Sequence, residues 1–321
     1  MTDVAKGAEG STGTRTLSVV IPVYYNAESL PELCVALRWL EAELGKRPVG
    51  LELVFIDDGS GDDSFLELMK FKQARPATKI IKFTRNFGAV QAVRAGMKHA
   101  TGDAVAYMAA DLQDPVEQVL AMADSWLGGA KYVVSVRRKR VDPLITRIGA
   151  NIYYALLRLL VAPDFPSKGY DLRLMERRIA QQHEKIPHYV NPIVFEYWLG
   201  FKPTMLDYER RERRHGKSRW TFRKRVNFFL DTILGFSTRP LRLFSAIGAV
   251  AALFSGIYGS YLMVATLLLG SDLPGFATIV TLITFFSSLI LLMLGIIGEY
   301  IWRIFDQVTR RPESVIEETY F

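Results

Sequence analysis

Four short polar clusters punctuate the first 114 residues: Pro22-Val-Tyr-Tyr-Asn26, Asp57-Asp58-Gly-Ser60, Arg85-Asn-Phe-Gly88 and Asp111-Leu-Gln-Asp114. Carboxylates, amides and glycines in this succession suit a ligand with a polar base and sugar at one end and a metal-bound diphosphate at the other. The GxGxxG and GxxxxGKS/T loops are absent, which sets aside the usual dinucleotide and P-loop readings. The fourth cluster lies in YMAADLQDP (Tyr107–Pro115), where an apolar run ends in a solitary Asp111 behind Ala109 and Ala110, like a metal site with one carboxylate missing. Plainer readings stay open for each cluster alone. Asp58-Gly59-Ser60 makes a good turn, as does Asn86 before Phe87-Gly88. Asp111 and Asp114 are also placed to cap a helix opening near Pro115, the reading favoured for Asp114.

A fifth stretch is basic. Between Glu209 and Arg225 nine Lys/Arg face two Glu, a local balance of 9 − 2 = +7, equal to the formal net charge of the whole 321-residue chain. It precedes the amphipathic run VNFFLDTILGF (Val226–Phe236). A basic patch beside a bilayer attracts anionic headgroups and can receive a lipid-borne phosphate. Nucleic acid is the rival partner, and the neighbouring membrane segment argues against it.

The elements that must position these clusters alternate. LSVVIPV (Leu17–Val23), LELVFID (Leu51–Asp57), KIIKFT (Lys79–Thr84), AVAYM (Ala104–Met108) and KYVVSV (Lys131–Val136) predict strands, and AVQAVRAGMKHA (Ala89–Ala100) predicts a helix between two of them. Alternation of this kind specifies an α/β fold, a parallel sheet with helices on both faces. Ligands of such sheets bind beyond the carboxyl ends of the strands, where the four clusters fall. Two uncharged runs, 243–269 and 276–298, each exceed the roughly 20 residues a helix needs to span a bilayer. Arg239 and Arg242 precede the first, Arg303, Arg310 and Arg311 follow the second, and the turn between them carries only Asp272. The positive-inside rule then places both termini in the cytoplasm and the hairpin in the cytoplasmic (inner) membrane. The polar, Gly/Thr-rich residues 1–16 read as a flexible tail without a signal peptide, and the single Cys34 excludes a disulfide framework.

VVIPVYYNAESL, VFIDDGSGDDS, TRNFGAVQAVRAGMKHATGD, DLQDP, RERRHGKSRWTF and GEYIWRIFDQVTRRP occur in an order that resembles the family-2 glycosyltransferases of GT-A fold, those that load a sugar onto a polyprenyl phosphate. The resemblance spans Leu17 to Pro312 and is nearest to bacterial enzymes with two C-terminal membrane helices, dolichyl-phosphate mannose synthases being more distant. It implies a flexible tail at 1–16, a GT-A (Rossmann-like) nucleotide-sugar domain at 17–220, an amphipathic juxtamembrane segment at 221–242, a two-helix transmembrane hairpin at 243–302 and a cytoplasmic tail at 303–321.

Residue by residue, the resemblance implies that Pro22, Tyr24 and Asp57 hold the nucleoside, with Arg85 and Gly88 near the nucleotide. Asp111 and Gln113 bind the donor diphosphate and a divalent metal, Mg2+ or Mn2+. Arg137, Arg140 and Arg147, with Arg213, Lys217, Ser218 and Arg219, meet the acceptor phosphate, and Asp171 and Arg173 belong to a catalytic loop near the donor. The family's Asp-x-Asp-x-Gln reads Ala109-Ala110-Asp111-Leu112-Gln113 here, so its first acid is absent. The implied reaction is inverting transfer of glucose from a UDP-hexose to a C55-type polyprenyl phosphate. The alternatives are a GDP-mannose or UDP-amino-sugar donor, or a catalytically impaired scaffold. Small residues Gly248, Ala252, Gly256 and Gly259 along the first span predict packing within a homo-oligomer such as a tetramer.

Overall fold

The structure, a computed structural model, describes residues 14–138, 144–166, 169–186, 190–211, 222–237, 239–269, 275–309 and 311–321. The chain divides into two compact units, Met1–Val226 with Pro312–Phe321, and Asn227–Arg311. In the first, the order is β1 (Arg15–Val23), α1 (Leu30–Gly45), β2 (Val49–Asp57), α2 (Ser64–Ala74), β3 (Lys79–Phe83), α3 (Ala89–His99) and β4 (Ala104–Tyr107). Then come α4 (Val116–Leu127), β5 (Tyr132–Arg137), α5 (Leu144–Leu160), β6 (Tyr170–Glu176) and α6 (Arg177–Ala180) with a 3-10 turn at Gln181–Lys185. α7 (Pro192–Trp198) and β7 (Thr204–Tyr208) follow. The second unit takes in the end of α8 (Phe222–Phe236), α9 (Arg239–Leu269) and α10 (Phe276–Thr309); β8 (Ile316–Tyr320) returns to the first.

Among the described residues eight strands form one sheet in the order β7-β5-β6-β4-β1-β2-β3-β8. All five strands read from the sequence are present, and their buried runs reflect a sheet covered on both faces. Leu30, Leu33, Leu37, Leu40 and Leu44 of α1 recur at helical spacing and are fully buried, the stripe that seats this helix. α3 lies closer still. A Cβ on Gly96 would stand 2.3 Å from Val20 Cγ1 and 2.5 Å from Ile56 Cδ1, so only glycine fits there without repacking.

The expected parallel sheet is mixed. β6 runs antiparallel to both β4 and β5, and β8 runs antiparallel to β3. The GYDLRLM segment expected as a loop is therefore a strand, and Ile316–Tyr320, within the expected tail, covers the β3 edge. Residues 15 and 16 of the expected N-terminal tail already belong to β1.

In the second unit, α9 and α10 contain the two uncharged runs, and α10 extends past the expected boundary to Thr309. Among the described residues one stretch, Phe285–Thr309, is long and apolar enough to cross a membrane, with 25 residues and mean hydropathy 1.8; at 1.5 Å per residue it spans about 38 Å. Gly248, expected at an oligomer contact, lies against Met293 Sδ of the same chain, where a Cβ would sit 3.3 Å away. Arg303 Nη2 bonds Asp231 Oδ1 and Glu299 Oε1, both at 2.9 Å, and Tyr300 donates to Ser237 O at 2.9 Å.

Candidate active site

The carboxyl ends of β1, β2 and β3 lie side by side, and each opens into a polar cluster. After β1, Asn26 Oδ1 accepts from Tyr24 N at 2.9 Å, and Asn26 N donates to Ser64 Oγ at 2.7 Å, which sets the Pro22–Asn26 turn on the start of α2. After β2, Asp57 is fully buried. Its Oδ1 accepts from Ser60 N at 3.1 Å, while Oδ2 has no hydrogen-bond partner. Burial pushes the Asp57 carboxyl up, Ser60 opposing it.

Asp58, a turn residue by its sequence context, fastens the next cluster. Its carboxylate accepts from Phe87 N at 2.7 Å, Gly88 N at 2.9 Å and Asn86 Nδ2 at 3.1 Å. Burial drives its pKa up to about 6, against the Phe87 and Gly88 N–H groups, and the neighbouring Asp57 adds to the rise. Gly59, at φ +66°, lets the two loops touch, since a Cβ there would lie 2.5 Å from the Arg85 carbonyl carbon. Arg85 is exposed with its guanidinium over the Phe87 ring at 4.4 Å, and Gly88, at φ +98°, opens α3.

At the end of β4, Ser29 Oγ donates to Ala110 O at 2.9 Å and ties this loop to the first cluster. Asp111 is half-buried, and its Oδ1 accepts from Gln113 N at 3.2 Å across Leu112, whose φ is +58°. Neither acid caps α4. Its N-cap position is Pro115 without a side-chain hydrogen bond, and Asp114 is instead buried, accepting from Tyr208 OH at 2.7 Å. Tyr208 closes β7, so a residue expected to serve a helix fixes the far strand of the sheet.

Asp111 and Gln113 thus offer one reachable carboxylate and one amide, and no cluster of three or more His, Cys, Asp or Glu suited to a metal forms among the described residues. That donor set fits a hard divalent cation whose other ligands are substrate phosphate oxygens and water. It does not fit a cation caged by protein alone.

Past β4 the same edge of the sheet carries arginines paired with carboxylates. β5 and β7 end there, and the antiparallel β6 begins there. Asp171 of β6 pairs directly with Arg137 of β5, and Arg210, just after β7, places Nη1 3.5 Å from the same Asp171 Oδ2 and Nε 3.6 Å from Asp114 Oδ1. Arg173 does not pair with the Asp171 carboxylate. It is 3% exposed, binds Glu196 Oε1 through Nε at 2.7 Å, donates from Nη1 to Asp171 O at 3.1 Å and lies 4.8 Å under the Tyr107 ring. Glu196 also receives Tyr132 OH at 2.9 Å and meets His183 Nε2 at 2.9 Å. Burial alone would raise the Glu196 carboxyl; Arg173 and then His183 outweigh it and hold it below the ordinary range. Arg173 is therefore a buried support beneath Asp171 and Tyr107.

The structure so brings Pro22, Tyr24, Asp57, Arg85, Gly88, Asp111, Gln113, Arg137 and Asp171 to one edge of the sheet. Arg147 lies in α5, its side chain outside the described set, and Arg140, Arg213, Lys217, Ser218 and Arg219 fall outside the described residues. Sequence reasoning missed Asp58, Glu196 and Arg210. Arg210 had a signal, as part of the Glu209–Arg225 basic stretch.

Comparison with known proteins identifies the family and the fold. The glycosyl transferase family 2 profile matches residues 18–184, and that of the GtrB C-terminal hairpin matches 239–304. An uncharacterized glycosyltransferase of Synechocystis sp. is 32% identical over 96% of this chain and 96% of its own. The SfII prophage-derived bactoprenol glucosyl transferase of Shigella flexneri is 33% identical over 95% of this chain and 98% of its own. Among solved structures, mannosyl-3-phosphoglycerate synthase from Rubrobacter xylanophilus shares the fold, with a TM-score of 0.51 at 14% identity over 72% of this chain and 75% of that one.

Proposed function

The chain belongs to glycosyl transferase family 2, a glycosyltransferase of GT-A-like fold, and from that premise we propose that it transfers glucose from UDP-glucose to a polyprenyl phosphate at the cytoplasmic membrane face. The observation that carries the reading is the division of one sheet edge. Carboxylates and amides, with Arg85 beside them, stand on the tips of β1 to β4, and the guanidinium groups of Arg137 and Arg210, paired with Asp171, stand at the ends of β5 and β7. A nucleotide sugar suits the first half and an anionic acceptor the second.

In this reading Pro22, Tyr24 and Asp57 hold the nucleoside, the unpartnered Asp57 Oδ2 accepting from a base or ribose donor. The loop Arg85–Gly88, held by Asp58, borders the nucleotide. A divalent cation, Mg2+ or Mn2+, on Asp111 and Gln113 would offset charge on the departing nucleoside diphosphate. The acceptor needs no strong base, because a phosphate monoester with a second pKa near 6 is substantially dianionic at neutral pH. The chain's own task is to bring two anions together and align them. Arg137 and Arg210 neutralise the acceptor, Arg173 and Glu196 fix the strand that carries Asp171, and the phosphate oxygen meets the anomeric carbon opposite the leaving group, which inverts it. Arg140, Arg147, Arg213, Lys217, Ser218 and Arg219 keep the acceptor-phosphate role that the sequence implies for them, and the α9–α10 hairpin holds the enzyme at the bilayer where its acceptor resides.

Purified protein in detergent, given polyprenyl phosphate with UDP-glucose, GDP-mannose or a UDP-amino-sugar in turn, tests the donor. Lipid-dependent release of UDP from UDP-glucose is expected, and release of nucleotide from another donor alone contradicts it. Ala109, in place of an acid, favours a second reading, an impaired scaffold. Thermal stabilisation by UDP with Mn2+ is expected of the enzyme; binding of neither supports the scaffold.

A further inference from the structure

Arg137 and Arg210 come from different strands yet converge on a single oxygen, Asp171 Oδ2. With Asp114, which faces Arg210, the group holds two cations and two anions and is electrically balanced before any ligand arrives. The two carboxylates differ in freedom. The Asp114 side chain is 1% exposed and fastened by Tyr208, whereas that of Asp171 is 40% exposed and held by Arg137 and Arg210, its backbone carbonyl being fixed separately by Arg173 Nη1. Arg210 Nε is buried without a hydrogen bond, a donor left over by the present arrangement.

We propose that Asp171 is a resident anion: its carboxylate fills, between Arg137 and Arg210, the place of the acceptor's phosphate, and arrival of a phosphate monoester exchanges one for the other. Resting on the proposed transfer to a lipid phosphate, the exchange gives Asp171 a purpose beyond position. The acceptor is a dianionic monoester. The product, whose phosphate oxygen has gained the bond to the anomeric carbon while the nucleoside diphosphate carries away the bonding pair, is a monoanionic diester. Two guanidinium groups attract a dianion strongly enough to displace the carboxylate, while the monoanion competes with it at equal charge. Asp171 therefore returns to the arginines after transfer and helps expel the product. Arg173 and Glu196, by anchoring the backbone of β6, let the side chain move while the strand stays still.

Calorimetry on the full-length protein in detergent, with UDP and Mg2+ saturating, tests this with methyl phosphate as a dianionic probe and dimethyl phosphate as a monoanionic one. The wild type is expected to bind methyl phosphate and to bind dimethyl phosphate too weakly to measure. Asp171→Asn, a near-isosteric change at an exposed side chain, should tighten methyl phosphate about tenfold and make dimethyl phosphate binding measurable, with a pre-steady-state burst of transfer as product release slows. Arg210→Gln should weaken methyl phosphate at least tenfold with UDP affinity unchanged. Unchanged or weaker methyl phosphate binding in Asp171→Asn overturns the exchange, as does loss of the wild-type methyl phosphate site when UDP is bound, which would put the arginine pair on the donor side. Should no lipid transfer occur while Asp171→Asn still tightens methyl phosphate, the transfer reading falls and the exchange stands.

Discussion

Two neighbouring acids, Asp57 and Asp58, are held differently: Asp57 keeps a buried Oδ2 without a hydrogen-bond partner, and Asp58 spends its oxygens on the Asn86–Gly88 loop. The Asp58 pKa of about 6 lies above the ordinary value of 3.8, so the folded state holds this proton more tightly than the unfolded chain does. Its contribution to stability is present in full below the ordinary value and is lost as pH rises through about 6, an effect on the order of 3 kcal/mol. Asp58→Asn should flatten the pH dependence of the melting temperature between about pH 4 and 6 and weaken UDP, since Asn cannot accept from both Phe87 N and Gly88 N. A variant with the wild-type slope would refute the assignment. At Asp111, Asn should abolish transfer while Gln113→Ala lowers it less, and Mn2+ should bind the wild type tightly only with UDP present, as calorimetry with and without UDP will read. Asp57 and Asp111 were legible because each follows an apolar run. Asp58, Glu196 and Arg210 were not, because their partners lie 28 or more residues away in the chain or in a strand that the sequence did not announce.

β6 and β8 account for most of what the sequence concealed. Tyr170–Glu176 carries an aspartate, an arginine and a glutamate and reads as polar; it enters the sheet because Glu196 neutralises Arg173 and because β4 and β5 pair with it on both sides. Ile316–Tyr320 is mostly exposed and carries two glutamates, and its backbone pairing with β3 leaves little periodic trace. Val315 O accepts from Thr84 N at 3.1 Å, and Glu313 pairs with Arg94 Nη2 at 2.9 Å, so this last segment grips the residue before Arg85 as well as α3. Truncation after Arg311 should lower the melting temperature and weaken UDP several-fold. UDP affinity equal to that of the full chain would show that the strand only covers an edge. The seating of α3 is tested separately: Gly96→Ala should cost about 1–3 kcal/mol, measured by chemical unfolding, since Val20 and Ile56 must yield.

For the molecule as a whole, two uncharged runs at one end of a charged chain were its most legible feature, and the structure gives each a long helix. From the flanking arginines we propose that both termini are cytoplasmic, as reporter fusions should find; a C terminus on the opposite side would contradict that orientation. The proposed division of the sheet edge into donor and acceptor halves rests only in part on features legible in the sequence, because the second half depends on antiparallel β6 bringing Asp171 to Arg137 and Arg210. The most direct test of the whole account is the chemical identity of the lipid after incubation with UDP-glucose and divalent cation, read by mass spectrometry of the extracted polyprenyl phosphate. The expected product is polyprenyl phosphate carrying one hexose through its phosphate. Free hexose, an unchanged lipid, or a lipid that has gained a sugar phosphate in place of the sugar would contradict it.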